Sequence, residues 1–446
     1  MKKEKIVIIG AGMAGTLMAI GLAQRGYKVD VYEKFSQDEQ SEEASNRSFN
    51  LTFYHRGIDT YKKAKLWHVV KPIMKILEGS AAHSSYGTVY TKYDMVEKPQ
   101  YVVERPDLVR VLLQEAFTYP QITFHFETAF ISLDRRKKTV TIQDLKTKKI
   151  TTIPAEIVIG ADGVNSRVRP LLQEGQSAKF ERDIFAWTYK QAIIPAALAT
   201  KINWKGVTEN FVHAKDALVL AFPNMDGSFC AILVLPEHGP GSFEKLQTKE
   251  AITQFLKKKF PMLKPVYPQF VKAIIENPQS RFNTMKTDPW YYKGFGVLIG
   301  DAAHTVLPFY GQGVSAAIED CMVLCELIDE QKGEWEEIFS TYQEKRKKNT
   351  DLLAYLSYES FEWLMKYREA NINIVKNKLD RILNRFFPNL WLPPIYELIA
   401  DDPADFQEIL DKHNNRRKLA RTLGISAIAH IIYRTLWAKE KIIRFL

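Results

Sequence analysis

The chain has 446 residues, 46% of them hydrophobic and 26% charged, so it is long and apolar enough for about two or three domains with buried cores. Its 62 Lys and Arg outnumber its 52 Asp and Glu, but no zinc-finger, helix-turn-helix or RNA-binding motif accompanies the short basic runs, and no nucleic-acid partner is expected. Cys230, Cys321 and Cys325 are too scattered for a disulfide framework or a zinc site, which predicts no metal and favours the cytoplasm.

The N-terminus begins with MKKEK and a largely apolar stretch, IVIIGAGMAGTLMAIGLA, which superficially matches a secretory signal. Glycines divide this stretch at fixed offsets instead. Ile6 to Ile9 form a β-branched run of strand length, a helical pattern rich in alanine and leucine continues to Gly26, and KVDVYEK alternates as a second strand. The order of strand, tight turn, helix and strand predicts a dinucleotide-binding domain.

The GAGMAG motif gives this turn its chemistry. Gly10 permits the turn, Gly12 lets the backbone approach a pyrophosphate, and Gly15 lets the helix pack on the strand. The helix N-terminus offers unpaired N–H groups to phosphates, and Glu33 closes the second strand where a carboxylate accepts hydrogen bonds from a ribose. The motif alone leaves NAD and FAD open.

Two later segments favour FAD. After the apolar strand AEIVIG comes ADGVNSRVRP, in which Asp162 follows the strand and a helix opens at Ser166. After the strand GFGVLIG comes GDAAHTVLPFYGQG, residues 300–313, in which Asp301 follows the strand. A second acid suits the ribityl hydroxyls of FAD and small residues suit its flat ring, whereas an NAD enzyme with one motif needs neither segment.

The rest of the chain predicts a strand-rich middle and a helical end. In DALVLAFPNMDGSFCAILVLP, the NMDG turn separates two apolar runs and predicts a hairpin. From about residue 336 the pattern is helical, with a break from Pro388 to Pro394. No segment has the roughly 18 apolar residues needed to span a bilayer. The basic and apolar tail is expected to pack on its own domain or a partner, with weak membrane-surface contact as the alternative.

The combination of GAGMAG, GADGVNSRVR and GDAAHTVLPFYGQG, in that order, resembles the single-component FAD aromatic hydroxylases of the para-hydroxybenzoate hydroxylase type. RSFNLTFYHRG, LAFPNMDGSF, PFYGQGVSAAIEDC and LPPIYELI narrow the resemblance to the kynurenine 3-monooxygenase family. The resemblance implies that NADPH or NADH reduces FAD, that O₂ adds at the flavin C4a, and that the hydroperoxide hydroxylates a small aromatic substrate. The protein's task is then to exclude water and to hold the ring within reach.

The resemblance also implies an architecture. It is α/β, with a Rossmann-type FAD-binding domain formed discontinuously by residues 1–78, 102–178 and 279–335. A mainly β substrate domain is inserted as 79–101 and 179–278, and 336–446 form a C-terminal helical region.

The same resemblance implies roles for residues near the flavin. Pro308 would lie near the flavin face, while Phe309 and Tyr310 would wall the substrate cavity, which places these three closest to the reacting atoms. The implied cofactor-binding residues are Gly10, Gly12, Met13, Ala14, Gly15, Glu33, Lys34, Arg47, Thr52, Arg105, Asp162, Asp301, Gly313, Val314 and Ser315. His55 and His304 lie inside family motifs without a ligating cluster and are expected to be structural.

The implied substrate-binding positions depart from the family. Kynurenine hydroxylases hold the substrate carboxylate with an arginine and a tyrosine, supported by an asparagine and a second tyrosine. Tyr93 and Tyr396 match the tyrosines, whereas Ser80 stands for the arginine and Glu359 for the asparagine. This exchange disfavours a carboxylate by roughly the 1.5–3 kcal/mol of one charge-assisted hydrogen bond plus repulsion, so the substrate is expected to lack that group or to carry a cation. The alternative is that Glu359 points to solvent.

Two other functions stay open. One is a different flavin enzyme, a reductase of isoprenoid chains or a halogenase, although the halogenase segment GWxWxIP is absent. The other is a non-enzymatic flavin- or NAD-binding regulator that uses its basic surface for interactions. The sequence contains no second GxGxxG for the nicotinamide cofactor, so it does not separate NADPH from NADH.

Overall fold

A computed structural model describes residues 4–38, 50–84, 87–93, 99–331, 334–365, 379–388, 391–401 and 405–422. Its strands are β1 (Lys5–Ile9), β2 (Lys28–Tyr32), β3 (Leu51–Phe53), β4 (Lys75–Leu77), β5 (Gly79–Ser84), β6 (Gly87–Lys92), β7 (Gln100–Val103), β8 (Ile122–His125), β9 (Thr128–Asp134), β10 (Thr139–Asp144), β11 (Ile150–Pro154), β12 (Ile157–Gly160), β13 (Lys179–Ile194), β14 (Thr208–Ala214), β15 (Ala217–Pro223), β16 (Phe229–Pro236), β17 (Ser280–Asp288), β18 (Tyr291–Tyr292), β19 (Gly296–Leu298) and β20 (His304–Thr305). Its helices are α1 (Met13–Gln24), α2 (His55–Lys63), α3 (Trp67–Val70), α4 (Arg105–Ala116), α5 (Val168–Gln173), α6 (Ala196–Ala199), α7 (Lys249–Lys259), α8 (Tyr267–Glu276), α9 (Gly313–Gln331), α10 (Trp335–Met365), α11 (Ile395–Asp401) and α12 (Phe406–Thr422).

A six-stranded sheet carries the N-terminal part of the fold, in the order β18-β19-β12-β1-β2-β8. Neighbours from β19 to β8 are parallel, and Ile6 to Ile9 at the centre are between 0% and 4% exposed, as expected for strands covered on both faces. Helix α1 packs against α4 and α9 beside this sheet. The predicted order of strand, turn, helix and strand at the N-terminus is confirmed, with β1, α1 and β2 in that order.

An eight-stranded sheet forms the second layer, in the order β20-β17-β13-β16-β15-β14-β5-β6. The predicted hairpin is confirmed as β15 and β16, with the Asn224 N–H donating to the Ser228 carbonyl across the turn. One face packs against α7 and α8 through an apolar cluster that includes Phe229 and Leu256. The other face contributes to an aromatic cluster with Phe361 of α10. The mixed α/β fold predicted from the sequence is therefore confirmed.

The pairing of two strands, β17 and β20, differs from the expected segments. Strand β17 lies within 279–335, which the sequence assigns to the FAD part, yet it pairs antiparallel with β13 and so joins the eight-stranded sheet. The 16-residue length of β13 explains this, because one strand partners both β16 and β17 along its two edges. Strand β7 pairs with β3 and β4 in a separate small sheet.

The C-terminal part is helical where it is described. Helix α10 runs through 31 residues, residues 379–386 are helical, and α11 and α12 follow the proline break. The basic tail from residue 423 lies outside the described residues. Within the described part of the chain, no helix combines the length and the apolar character that a membrane crossing requires.

Candidate cofactor and substrate site

In the glycine-rich turn between β1 and α1, packing requires a glycine at two positions but not at a third. Gly10 has φ +102°, and a Cβ there would lie 2.5 Å from the Ala161 carbonyl oxygen. A Cβ at Gly15 would overlap the Gly10 carbonyl oxygen. A Cβ at Gly12 would meet no atom within 4 Å. Packing therefore requires glycine at 10 and 15, whereas Gly12 borders open space at the N-terminus of α1, where Met13 and Ala14 begin the helix.

Glu33 fastens this turn from the end of β2. Its Oε2 accepts the Ala11 N–H at 2.8 Å and its Oε1 accepts the Phe35 N–H at 3.1 Å. Both carboxylate oxygens thus bind backbone, a structural duty that the sequence did not indicate beside the expected ribose contact. Lys34 is exposed, with its Nζ 4.7 Å from the centre of the Phe35 ring.

The second motif is held by Asp162 and Arg169. Asp162 Oδ2 accepts the backbone N–H groups of Arg167 at 2.7 Å and Val168 at 3.2 Å, while its Oδ1 is buried without a partner among the described residues. Arg169 donates from Nη1 to the Ala302 carbonyl at 2.9 Å and from Nη2 to the Val164 carbonyl at 3.0 Å. The Arg169 side chain therefore ties the second motif to the third, a role that the sequence pattern did not show.

Asp301 lies in a short turn after β19 and lines a recess. Its side chain is exposed although Gly300, Ala302 and Ala303 around it are buried. Loss of bulk water raises the pKa of its carboxyl group, and Arg105 at the start of α4 opposes that rise electrostatically. An acid that is accessible yet poorly hydrated suits a ligand with hydroxyl groups.

A buried ionic network fixes this turn to α9 and α10. Asp320, 0% exposed, accepts hydrogen bonds from the Gly300 N–H at 3.0 Å and from Arg346 Nε at 2.7 Å, and lies 2.6 Å from His304 Nε2. Arg346 also pairs with Glu319 at 2.8 Å. Burial alone would raise the pKa of Asp320, but His304 and Arg346 outweigh it and lower that pKa. His304 thus serves the network, in line with a structural interpretation.

The loop after β20 brings small and polar groups to the start of α9. Gly311 has φ +66°, and a Cβ there would lie 2.5 Å from Thr52 Oγ1 and 2.9 Å from a ring carbon of Tyr54. The side-chain nitrogen and oxygen of Gln312 and the Oγ of Ser315 are buried without partners among the described residues. Gly313 and Val314 form the first turn of α9 beside them.

These features fit a large cofactor with many hydrogen-bonding groups. Buried side-chain atoms without partners among the described residues (Asp162 Oδ1, the Gln312 amide and Ser315 Oγ) and the recess at Asp301 lie on the second and third of the segments that the sequence associates with FAD. Buried polar groups are normally hydrogen-bonded, so their clustering indicates a ligand that supplies partners. The open space at Gly12 adds room for phosphates at a helix N-terminus.

An aromatic wall adjoins this loop. Pro308 to Tyr310 form a short helical turn, and the Phe309 ring lies 5.0 Å from Phe282 and 4.9 Å from Phe361. Burial raises the pKa of Tyr310, and Glu359 adds to the rise, so Glu359 lies near that hydroxyl. Glu359 also accepts a hydrogen bond from the exposed Tyr355 at 2.7 Å.

A second buried polar group lies across the eight-stranded sheet. Ser80 of β5 is directly opposite Glu209 of β14, and the Tyr93 hydroxyl donates a short hydrogen bond to Glu209 and interacts with Ser80. Burial raises the pKa of Glu209 to about 7, although the Tyr93 hydrogen bond opposes this. Sequence reasoning missed Glu209, but an acid inside the alternating strand TENFVHA was the available signal.

Several expected residues cannot be placed as side chains. Arg47 lies outside the described residues, and Tyr396 lies in α11 with its side chain outside the described set.

His55 pairs with Asp59 at 2.9 Å on α2. Across the described ranges, no group of three or more His, Cys, Asp or Glu side chains could hold a metal ion.

Glu209 predicts a pH-dependent stability. An acid whose pKa is higher in the folded state than the 4.5 of the free group binds more protons when folded, so its contribution falls as pH rises from about 4.5 through 7. Glu209→Gln is therefore expected to gain about 3 kcal/mol in free energy of unfolding relative to the parent between pH 4.5 and 8. Urea unfolding at both pH values measures it, with the exposed Glu78→Gln as control. A constant difference between Glu209→Gln and the parent would contradict the prediction.

Comparison with known proteins agrees with this geometry. The family model described as FAD binding domain matches residues 3–354. The chain is 33% identical over 427 residues to a kynurenine 3-monooxygenase of Salinispora arenicola, covering 95% of this chain and 93% of the relative. It is 33% identical over 394 residues to a kynurenine 3-monooxygenase of Legionella pneumophila, covering 87% and 86%.

Among solved structures, 2-methyl-3-hydroxypyridine-5-carboxylic acid oxygenase shares the fold, with a TM-score of 0.67 at 20% identity, covering 90% of this chain and 98% of that one. The family match and the two relatives each extend over most of the chain. The chain therefore belongs to the FAD-binding-domain family of FAD-dependent monooxygenases, with kynurenine 3-monooxygenases among its relatives and FAD as its cofactor.

Proposed function

We propose that this protein is an NAD(P)H-dependent FAD monooxygenase that hydroxylates a small aromatic compound with O₂. The observation that carries the proposal is that the loop 308–312, which follows Asp301 closely in the chain, packs through Phe309 against the aromatic face of the eight-stranded sheet. A cofactor held by the recess and a substrate held by that face would meet at this loop.

The residues of the three motifs would hold FAD, which when bound supplies electron transfer from the nicotinamide and activation of O₂. Gly12 and the first turn of α1 leave space and N–H groups for the pyrophosphate. Asp301 suits the ribityl hydroxyls, and the N-terminus of α9 at Val314 and Ser315 suits the flavin edge. Glu33, Lys34, Arg47, Thr52, Arg105 and Asp162 complete the proposed set.

The substrate would lie between Phe309 and the sheet. Phe282, Phe309 and Phe361 pack against one another at tilted angles beside this position and would keep water from it, which would protect the reactive oxygen. Tyr93 contributes a phenol and Ser80 a small hydroxyl where the family carries an arginine, and Glu359 and Tyr396 are proposed to complete the pocket. The absence of the family's arginine at Ser80 and the presence of Glu359 support a substrate that lacks the carboxylate of kynurenine.

The pairing of strands supports a division into an FAD-binding part and a substrate-binding part. Strands β5, β6 and β13 to β16, drawn from 79–101 and 179–278, meet in the eight-stranded sheet. The FAD motifs follow β1, β12 and β19 of the six-stranded sheet. We propose that β17 belongs to the substrate-binding part as well, because it pairs along β13.

Asp301→Ala tests the cofactor role. Loss of one charged hydrogen-bond partner of about 1.5–3 kcal/mol should weaken FAD binding roughly 10- to 100-fold, with little change in the melting temperature of the apoprotein. Fluorescence titration of apoprotein with FAD measures the affinity. Asp183→Ala, at an exposed position of β13, is the matched control. An unchanged FAD dissociation constant in Asp301→Ala would show that this carboxylate does not hold the cofactor.

Turnover separates an enzyme from a flavin-binding regulator. FAD-loaded protein should oxidise NADPH or NADH faster when a suitable aromatic compound is added, since the substrate is part of the proposed site. If no member of a broad panel of aromatic amines, phenols and acids accelerates the oxidation, the regulator becomes the better interpretation.

A further inference from the structure

Ser80, Tyr93 and Glu209 form a polar group at the ends of three neighbouring strands, β5, β6 and β14. Ser80 and Glu209 are neighbours in the parallel pairing of β5 and β14, and Tyr93 directly follows β6, which pairs with β5. The Tyr93 hydroxyl donates to the Glu209 carboxylate, and Glu209 is 5% exposed. We call Ser80, Tyr93 and Glu209 the acidic pole.

Strand alternation places the acidic pole on the substrate face of the sheet. Side chains two apart on a strand share a face, so Glu209 points the same way as Phe211. Phe211 packs in the aromatic cluster that contains Phe309 and Phe361. On the opposite face, Asn210 Oδ1 accepts a hydrogen bond from His83 Nε2 at 3.0 Å, away from that cluster.

Tyr54 connects the acidic pole to the proposed flavin loop. It acts electrostatically on both Tyr93 and Tyr310, so its hydroxyl lies near both. Its ring also packs against Gly311, because a Cβ at that position would lie 2.9 Å from a ring carbon of Tyr54. Tyr54 therefore lies beside both the acidic pole and the loop 308–312, so the acidic pole adjoins the proposed flavin loop.

No cation among the described residues balances the Glu209 carboxylate. In the described part of the chain, Glu209 hydrogen-bonds Tyr93 and forms no ion pair with lysine, arginine or histidine. An ionised carboxylate accepts about four hydrogen bonds, and burying it without a cation is unfavourable. A ligand that brings a positive charge and N–H donors would relieve both deficits.

We propose that Glu209, oriented by Tyr93, binds the ammonium group of an aromatic amine substrate and excludes a carboxylate from that position. The inference rests on the proposed function and deepens it by naming the substrate class. It also assigns the discriminating acid to Glu209 instead of Glu359, whose carboxylate bonds the exposed Tyr355. Ser80 leaves room for the ammonium, where a longer cationic side chain would neutralise Glu209.

Kynurenine and kynuramine form a matched pair of probes. Kynuramine keeps the aminophenyl ketone and the side-chain amine of kynurenine but lacks its carboxylate. Titration of the FAD-loaded protein, followed by flavin absorbance, should show kynuramine binding about tenfold or more tighter than kynurenine. Glu209→Gln keeps an acceptor for Tyr93 and should weaken kynuramine binding about 10- to 100-fold, with FAD affinity unchanged.

Further variants keep the result interpretable. Glu78→Gln, at an exposed position two residues before Ser80, should leave the preference for kynuramine intact. Ser80→Arg, which does not remove the acid, should weaken kynuramine and strengthen kynurenine, so it replaces Glu209→Gln if that variant does not fold.

The outcomes separate this inference from the proposed function. Loss of the kynuramine preference in Glu359→Gln but not in Glu209→Gln overturns the inference, as does equal or tighter binding of kynurenine by the parent. Failure of kynuramine to bind a protein whose NAD(P)H oxidation other aromatic compounds accelerate also overturns it, while the proposed function stands. A protein that responds to no aromatic compound fails the proposed function itself.

Discussion

Gly12→Val is expected to abolish FAD binding while leaving the fold intact. A side chain at this position meets no protein atom within 4 Å, so packing does not oppose it, and φ −67° is acceptable for valine. The added methyl groups would fill the space at the N-terminus of α1 where we propose that the phosphates bind. Loss of two phosphate hydrogen bonds of about 1.5–3 kcal/mol each lowers FAD affinity by roughly 100-fold or more.

Gly15→Val is the matched control, because the same substitution three residues later should fail for a different reason. Its Cβ would overlap the Gly10 carbonyl oxygen, so the turn and β1 cannot keep their positions. Thermal unfolding and FAD fluorescence titration distinguish the two variants. Gly12→Val should unfold near the temperature of the parent apoprotein, and Gly15→Val well below it. FAD binding by Gly12→Val with parental affinity would place the phosphates elsewhere.

Arg346→Met is expected to cost about 3–5 kcal/mol in free energy of unfolding. Arg346 is 4% exposed and donates to Asp320, Glu319 and the Ala316 carbonyl. Its removal takes away the cation that the two carboxylates share and leaves them with His304 and Arg56 respectively. Arg110→Met, which removes an exposed pair with Asp107, should cost within about 1 kcal/mol. Urea unfolding measures the free energy of unfolding of both variants. A similar small loss in both would contradict a large contribution of the buried network to stability.

The pH dependence of Arg346→Met gives an independent check. The folded-state pKa of Asp320 is lowered, so its ionic contribution is present above the ordinary value of 3.8 and is lost as pH falls through the folded value. Without Arg346 the lowering is smaller, and the parent should lose more stability than the variant on acidification to pH 3. An equal acid-induced loss in the parent and the variant would mean that His304 alone lowers the pKa of Asp320.

The sequence predicted the parts of the fold that are encoded locally. Glycine offsets and β-branched runs were enough for β1, α1 and β2, and the acids after β12 and β19 fall where carboxyl ends of parallel strands meet. The roles of Arg169 and Arg346 were not predictable, because each depends on carbonyls or carboxylates brought in by tertiary packing.

The contact between Ser80 and Glu209 in the acidic pole could not be predicted from the sequence. Comparison with the family drew attention to Ser80, the position of a missing arginine, and to Glu359 as the acid nearby. The partner of Ser80 is instead Glu209, which is 129 residues away in sequence and adjacent only through the parallel pairing of β5 and β14. Parallel register between distant strands has no local sequence signal, so the pairing of this acid with Ser80 was visible only in the structure.

Oxygen transfer from O₂ to an aromatic ring is the central claim, and isotopic labelling tests it most directly. The FAD-loaded protein should be incubated with NADPH or NADH and the aromatic compound that most accelerates oxidation, under ¹⁸O₂ in ordinary water, with mass spectrometry of the products. We predict a hydroxylated product that carries one ¹⁸O atom and is absent without the nicotinamide. Oxidation that yields only hydrogen peroxide, or a product whose new oxygen comes from water, would contradict a monooxygenase function.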